Sequence, residues 1–234
     1  MTSLDPMDIT WTMRRAPRAV VKVLHAHPGK VMLAGGFIRA CIANETANDV
    51  DLFACDADLA KLAAIELLPN GTPPSELHET VNAYTVNSKL PMQVIKRWTF
   101  NSPEKLVESF DFTIARAAIW WDATTESWAS LADEQFYTDL AAKRLRYCSP
   151  VREEEAGGSM LRVLKFYQRG YRIPLDCLAA VMSRMVVKLE PRRLGELGGW
   201  SEAAIEQVLT GLLVEVDPLA TGVMAHMPAT KEAA

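Results

Sequence analysis

Two carboxylates and two glycines lie close together in the first quarter of the chain. Asp49 and Asp51 are separated by one residue, and Gly35 and Gly36 precede them. Alternate residues of a β-strand project to the same face, so the two carboxylates would converge on one point. Mg²⁺ binds one or two protein carboxylates together with phosphate oxygens. The aspartates therefore predict the metal site of two-metal phosphoryl transfer, in which the cations act on the attacking and leaving oxygens.

The glycines predict a phosphate-binding turn. Adjacent glycines let the backbone approach a phosphate, and the helix predicted after them begins with free N–H groups. Arg39, one turn into that helix, would reach a phosphate oxygen. Each pattern has a simpler explanation, since Gly-Gly is often a plain turn and D-x-D is often a solvated strand end. Their order of strand, turn, helix and strand favours a site for Mg²⁺ and a nucleoside triphosphate.

Composition narrows the class of protein. The chain has 234 residues, 49% of them apolar and 23% charged, which is ordinary for a globular protein of one large or two small domains. Its apolar runs are far shorter than a membrane helix, and its N-terminus does not resemble a signal peptide. The four widely spaced cysteines favour a reducing cytoplasm. A net charge of −4 disfavours a protein coated in nucleic acid but leaves room for a local basic groove.

Periodicity and turn residues predict a mixed N-terminal part. We expect a helix in two pieces over 8–26, with Pro17 at a helix start, and a buried strand over 30–34. The remaining elements are a helix over 37–43, a strand over 50–54, a helix over 56–68, a hairpin of 81–86 and 92–98, and a strand or strand-helix junction over 110–120.

The later part of the chain reads as helical. Helices are predicted over 131–146, with Asp139 on an exposed part, and over 159–171, 174–188 and 201–214. We expect a catalytic domain over 1–125, a helical domain over 126–217 and a loose tail over 218–234.

Several motifs resemble the polymerase-β-type nucleotidyltransferases, and in particular the class II branch of CCA-adding tRNA nucleotidyltransferases and bacterial poly(A) polymerases. Residues 35–39 read Gly-Gly-Phe-Ile-Arg and residues 48–53 read Asn-Asp-Val-Asp-Leu-Phe, similar to the G-G-x-[VI]-R-D and D-[IV]-D-[LF] patterns of that branch. Residues 110–116, 138–146 and 159–166 resemble its R-R-D-F-T-I-N-A, D-L-x-x-x-x-[LI]-R and neck motifs in the same order. The resemblance covers about residues 28–175.

The resemblance implies a fold and a set of roles. The fold would be α+β, with a nucleotidyltransferase-type mixed sheet, flanking helices and a small helical C-terminal part. Asp49, Asp51 and Asp111 would be the catalytic metal ligands. Nucleotide contacts would come from Gly35, Gly36, Arg39, Arg116, Arg162 and Lys165.

The chain also departs from the family pattern. Ala40 replaces an acid, Phe110 replaces an arginine, and Ser159 and Met160 replace Asp-Pro in the neck. Gln93 stands where the family often has an acidic strand residue, and an amide is a poor Mg²⁺ ligand. We therefore expect the third carboxylate to be Asp111, on a strand beside that of Asp51. A helix N-cap or an arginine partner is the other reading of Asp111.

Two functions remain from the sequence. The first is a Mg²⁺-dependent transfer of an NMP from an NTP to a hydroxyl of an RNA 3′ end, a protein or a small molecule, with release of pyrophosphate. The second is a catalytically degenerate module that binds a nucleotide or a protein. The cations at 162, 165 and 169 share a helix face that would meet triphosphate or RNA, or is simply solvated. CCA-adding enzymes carry further domains, so tRNA maturation is not inferred.

Overall fold

A buried pair of antiparallel strands, β1 and β2, lies at the centre of the fold. The computed structural model describes residues 1–148, 156–187, 196 and 200–216. Its seven strands form one mixed sheet in the order β3-β4-β5-β2-β1-β6-β7. The strands are β1 Val31–Ala34, β2 Val50–Ala54, β3 His78–Glu79, β4 Ala83–Val86, β5 Met92–Ile95, β6 Ala117–Asp122 and β7 Ser127–Ala132. The predicted α+β class and the predicted mixed sheet are confirmed.

The register explains why these stretches are strands. β1 is apolar and buried throughout, and it pairs on both sides, with β2 and with β6. A central strand covered on both faces reads as a continuous apolar run, as residues 31–34 do. β2 and β5 run parallel, whereas the other pairs of neighbouring strands run antiparallel. The predicted hairpin of β4 and β5 is present.

Helices in the N-terminal part begin at clear signals. The side chains of Asp5, Asp56 and Ser102 accept hydrogen bonds from backbone N–H groups at the starts of three of them. Pro17 precedes a fourth, which confirms the predicted break between two helical pieces. These helices are α1 Pro6–Arg15, α2 Arg18–Ala26, α3 Gly36–Ile42, α4 Ala57–Glu66, α5 Pro103–Glu108 and α6 Phe136–Ala141.

One face of the sheet packs against α5. Met32, Phe53 and Ala118 from three strands meet Leu106 and Val107 of that helix in a buried cluster. The side chain of Phe110, directly after α5, packs against the same cluster. This contact holds the turn that follows α5 against the strands carrying the candidate site.

The predicted helix over 131–146 is confirmed only over Phe136–Ala141 and is wrong on both sides of it. Residues up to 132 belong to β7, which pairs along its whole length with β6, and the helix α6 covers only Phe136–Ala141. The alanines and the leucine of β7 have little intrinsic preference for a strand, but the neighbouring β6 supplies backbone partners. Strand preference follows such pairing more than residue type.

The chain divides into two compact units, Met1–Ala142 and Lys143–Ala234. The domain boundary expected at 125/126 falls in the turn between β6 and β7. In the second unit, α7 Ala156–Gln168, α8 Leu175–Val187 and α9 Glu202–Val216 are described. Met185 of α8 packs against Met160 of α7 and Leu209 of α9. The predicted tail lies outside the described residues.

The predicted exposure of Asp139 is wrong. Its side chain is buried, and its Oδ2 accepts a hydrogen bond of 2.8 Å from the hydroxyl of Thr113, which is also buried. A buried carboxylate needs donors because desolvation penalises its charge. This bond joins the 3₁₀ turn Thr113–Ala115 to α6, and so connects two of the family-like motifs.

The bond between Thr113 and Asp139 makes a stability prediction. Thr113→Val keeps the shape of the side chain but removes the donor, so we expect the free energy of unfolding to fall by about 2 kcal/mol. Thr113→Ser keeps the hydroxyl and loses only a methyl group, at a cost of about 1 kcal/mol. Urea denaturation of both variants measures the difference. A valine variant as stable as the native chain would contradict this role.

In the part of the chain that the structure describes, none of the helices combines the length and apolarity required to cross a bilayer.

Candidate active site

The two aspartates lie at the start of β2. Val50 between them is fully buried, whereas Asp49 and Asp51 are half-buried. Alternation along the strand therefore places the Asp51 carboxylate on the face opposite to Val50, and Asp49 directly precedes the strand. The Oδ1 atom of Asp51 is itself buried. Packing of the buried Val50 and Leu52 holds the strand in place, and the strand positions the Asp51 carboxylate.

The Gly35–Gly36 turn follows β1 at the end that pairs with the start of β2. β1 and β2 are antiparallel, with Leu33 opposite Leu52. Ala34 ends β1 one residue after that pair, and Gly35 follows at once, whereas Asp51 directly precedes Leu52 on β2. The residues that the sequence suggested for phosphate and for metal therefore meet at one end of two paired strands.

A glycine is required at position 35 both by the backbone conformation there and by the lack of room for a side chain. Its φ is 82°, in the left-handed region that disfavours side chains. A Cβ on Gly35 would lie 3.1 Å from Cε1 of Phe110. By contrast, a Cβ on Gly36 would meet no atom of the described residues within 4 Å. The turn is thus closed on the side of Phe110 and open at Gly36, where a ligand can approach the backbone.

This geometry predicts different effects for the two glycines. Gly35→Ala should lower the free energy of unfolding by about 2 kcal/mol, because the backbone is strained and the Phe110 ring must move. Gly36→Ala is the matched control, and we expect its stability to be unchanged or slightly higher, since alanine favours a helix start that has room for it. Urea denaturation measures both, and equal stability of the two variants would contradict the argument.

Phe110 replaces an arginine of the family pattern, and the structure shows its contacts here. Its ring lies under Gly35 and makes an edge-on contact with Phe53, at 5.8 Å between ring centroids. The departure from the family therefore supplies an apolar wall behind the glycine turn.

Arg39 is buried, with 3% of its side chain exposed, and its Nη1 donates to Oε2 of Glu45. The amide of Glu45 in turn donates to the carbonyl of Ala40 at 2.8 Å. Arg39 thus ties α3 to the connection that leads to Asp49. Its contact with triphosphate stays a prediction.

Glu45 is a site residue that the motif analysis missed. The signal was present, because Ala40 removes the acid that follows the arginine in the family pattern, and Glu45 is the first acid after a stretch from 9 to 44 without any. A buried arginine needs an anionic partner, so the next available carboxylate was the candidate.

A polar cavity of about 310 Å³ adjoins the connection before Asp49. Residues 44–47 line it together with Arg15, Phe37, Cys41 and Leu90. Burial raises the pKa of the Cys41 thiol to about 11. The thiol is therefore protonated at neutral pH and does not offer a thiolate nucleophile.

Asp111 does not lie on a strand beside β2, so that part of the prediction is wrong. It is buried in the turn between α5 and the 3₁₀ turn at Thr113, because the strand predicted to begin near 110 starts only at Ala117. Across the described ranges, no group of three or more His, Cys, Asp or Glu side chains is placed to hold a metal ion. The role of Asp111 as third ligand stays a prediction.

The neighbour of Asp51 on β5 is Gln93. The two residues are direct partners in the parallel pairing of β2 and β5, which puts their side chains on the same face. An amide there offers one neutral oxygen instead of a carboxylate. The two carboxylates provide hard oxygen donors of the kind that bind a divalent cation together with phosphate, and the open backbone at Gly36 leaves space for that phosphate.

Arg116 braces the turn that carries Asp111. Its Nε donates to the carbonyl of Phe110 and its Nη2 to that of Glu108, both at 2.9 Å, while its Nη1 contacts Asp133 at 3.3 Å. The structure thus gives Arg116 a positioning role. Its predicted contact with nucleotide stays a prediction.

Arg162 and Lys165 lie on α7 in the second unit. Both are half-buried, and Val163 and Phe166 on the same helix are buried. The guanidinium of Arg162 packs close to Gly158, where a Cβ would be 3.4 Å from Nη2. Their roles toward nucleotide or RNA stay predictions.

Comparison with known proteins identifies both a family and a fold. The model of the Gabija anti-defense 2 family protein matches residues 11–143. No curated protein matches the sequence. A solved structure of the Thermotoga maritima CCA-adding enzyme complexed with tRNA matches with a TM-score of 0.56 and 16% identity, over 92% of this chain and 56% of that one.

Two further solved structures agree with the first. CCA-adding enzymes in complex with CTP and with ATP each match with a TM-score of 0.54 and 18% identity over 88% of this chain. This chain spans about half the length of these enzymes, at 49% and 53% of theirs. At such identities the likeness shows the fold alone, and it confirms the polymerase-β-like nucleotidyltransferase fold predicted from the motifs.

Proposed function

This chain belongs to the Gabija anti-defense 2 family, and we propose that it is a Mg²⁺-dependent nucleotidyltransferase that moves an NMP from an NTP to a hydroxyl group. One observation carries the proposal. The register of β1 and β2 brings the end of β1, which Gly35 follows, to the start of β2, so that the turn proposed for phosphate and the two carboxylates proposed for metal lie at one end of two paired strands. Neither feature alone would suggest this reaction.

The proposed reaction is a substitution at the α-phosphorus of the NTP. The acceptor hydroxyl oxygen forms a bond to that phosphorus, the bond from the phosphorus to the bridging oxygen of the β-phosphate breaks, and pyrophosphate leaves. The hydroxyl proton is released to solvent. Bound Mg²⁺ would lower the pKa of the attacking hydroxyl and neutralise the leaving pyrophosphate.

The residues of the chain would bind and orient the reactants. Asp49 and Asp51 would hold the cation at the start of β2, and Asp111 is the proposed third carboxylate. The backbone at Gly36 has space for a phosphate, and the ring of Phe110 packs against the neighbouring Gly35. Arg39, Arg116, Arg162 and Lys165 are proposed as cations for the triphosphate or for the acceptor.

The test is transfer of label from each α-labelled NTP in a cell extract that contains the purified chain. Label that enters RNA, protein or a small molecule in the presence of Mg²⁺, and not after chelation with EDTA, supports the proposal and identifies the acceptor class. Absence of transfer with all four NTPs, in extracts with and without added RNA, would overturn it.

Gln93 favours a second candidate function. An amide in place of a carboxylate beside Asp51 is the change expected in a module that binds nucleotide without turnover. Against this, Asp49 and Asp51 are both retained although their like charges repel. Calorimetric titration with each NTP separates the two functions. Metal-dependent binding with pyrophosphate release indicates the enzyme, and metal-independent binding without release indicates the module.

The name of the family supports a biological context. We propose that NMP transfer is the means by which this chain counteracts the Gabija defence. Cells that carry the Gabija defence and express the native chain should lose the protection that this defence gives. Cells that express the Asp49→Asn, Asp51→Asn variant should keep that protection. Equal loss of protection with both chains would assign the effect to binding.

A further inference from the structure

The first helices of the chain carry an unusual segregation of charge. Residues 9–44 contain six Lys and Arg and no Asp or Glu. The unit that contains them, 1–142, has 12 Lys and Arg against 18 Asp and Glu. Half of its cations therefore lie in a quarter of its length, in a segment that contains no acid and is bounded by Asp8 and Glu45. Such a concentration in an acidic unit creates a local positive field that attracts an anionic partner.

Most of these cations face solvent on α1 and α2. Arg14, Arg15, Arg18 and Lys22 are all exposed. Trp11 is 49% exposed, and the guanidinium carbon of Arg15 lies 5.5 Å from the centroid of its ring. The spacing of residues 11, 14 and 15 puts them on one face of α1. We call Trp11, Arg14 and Arg15 of α1, together with Arg18 at the start of α2, the α1 surface.

Two hydrogen bonds join the α1 surface to the segment that leads to the candidate active site in the same unit. The indole Nε1 of Trp11 donates to the carbonyl of Cys41 at 3.1 Å, and Nη1 of Arg15 donates to Oδ1 of Asn44 at 3.3 Å. Both acceptors lie at the end of α3 or just after it, and the same connection continues to Asp49. Arg15 also lines the polar cavity before Asp49.

We propose that the α1 surface binds a single-stranded nucleic acid. Exposed arginines provide contacts to phosphates, and the indole provides a face on which a base can stack, with the adjacent guanidinium strengthening the platform. The edge of the indole is hydrogen-bonded, so the ring is held in one orientation. If this strand is also the acceptor of the NMP, which rests on the proposed function, its 3′ hydroxyl is the nucleophile.

The test measures binding of a short fluorescein-labelled single strand, as RNA and as DNA, to the full chain by fluorescence anisotropy. Arg14→Ser with Arg18→Ser should weaken binding by about tenfold, and should make the slope of log K against log salt shallower by about 1.4, because two phosphate contacts are lost. Lys61→Ser with Lys89→Ser is the matched control, since both lysines are exposed in the same unit and outside the acid-free segment. It should bind as the native chain does.

A second variant separates stacking from charge. Trp11→Leu should weaken binding by about tenfold without changing the salt slope. Its circular dichroism and thermal unfolding show whether the fold is kept.

Three results would overturn the proposal. The first is that the Arg14 and Arg18 double variant binds the labelled strand as tightly as the native chain does. The second is that the native chain does not bind the strand at low salt. The third is that an oligoglutamate displaces the labelled strand as effectively as the unlabelled strand does, which would indicate an acidic protein partner. The Asp49→Asn, Asp51→Asn double variant distinguishes a failure of the nucleic-acid proposal from a failure of the catalytic proposal. It should retain nucleic-acid binding even where NMP transfer is lost.

Discussion

Asp49→Asn combined with Asp51→Asn is expected to abolish NMP incorporation, with a loss of about a thousandfold or more. The asparagine side chains keep the shape of the site but remove both negative charges that would hold the cation. Electrostatic stabilisation of a phosphoryl transition state depends on that cation, and loss of even one preorganised electrostatic contact costs about a hundredfold to a thousandfold in other enzymes. Incorporation of α-labelled NMP measures the effect.

The control for this variant changes charge elsewhere by the same amount. Asp58→Asn combined with Glu104→Gln removes two exposed acids, each in the first turn of a helix. It should retain incorporation. The thermal midpoint of the Asp49 and Asp51 variant should be unchanged or raised, because two neighbouring like charges are removed. Full incorporation by the folded variant would refute the assignment of both residues.

Arg39→Met is expected to lower the free energy of unfolding by about 3 kcal/mol. The arginine is 3% exposed and Glu45 is 17% exposed, so the variant leaves a largely buried carboxylate without its cation. Breaking one side of a buried ion pair costs more than replacing both sides with apolar groups. Arg39→Met combined with Glu45→Met should therefore recover most of the loss. Urea denaturation measures both variants.

Lys61→Met is the surface control for the same change of residue type, and its stability should differ from the native value by less than about 0.5 kcal/mol. A single Arg39 variant as stable as this control would contradict the ion-pair argument. The double variant also tests the predicted role toward triphosphate. Weakened ATP binding by a chain of native stability would assign that contact to Arg39 itself.

The local order of the candidate site was predictable from the sequence. The apolar run before Gly35, the adjacent glycines, and the alternation around Val50 each follow from the stereochemistry of a few consecutive residues. Short-range rules apply there because β1 and β2 are buried central strands whose residue types agree with their environment. The motifs at 35–53 therefore indicated a nucleotidyltransferase fold before any contact was known.

Contacts between distant segments were decided only by the tertiary structure. Gln93 became the neighbour of Asp51 through the register of two strands. Asp111, expected on a strand, lies instead in a turn after α5. None of these follows from periodicity, which specifies the face of a residue and not its partner.

The sequence by itself determined the pair of carboxylates, the glycine turn and the order of the elements that carry them, because backbone stereochemistry and hydrophobic alternation act over a few residues. The tertiary structure alone decided that 127–132 is a strand, that Asp139 is buried against Thr113, and that α1 carries its arginines next to the connection before Asp49. The physical reason is that strand pairing, burial of charge and the meeting of surfaces depend on residues far apart in the chain, whose proximity exists only after folding.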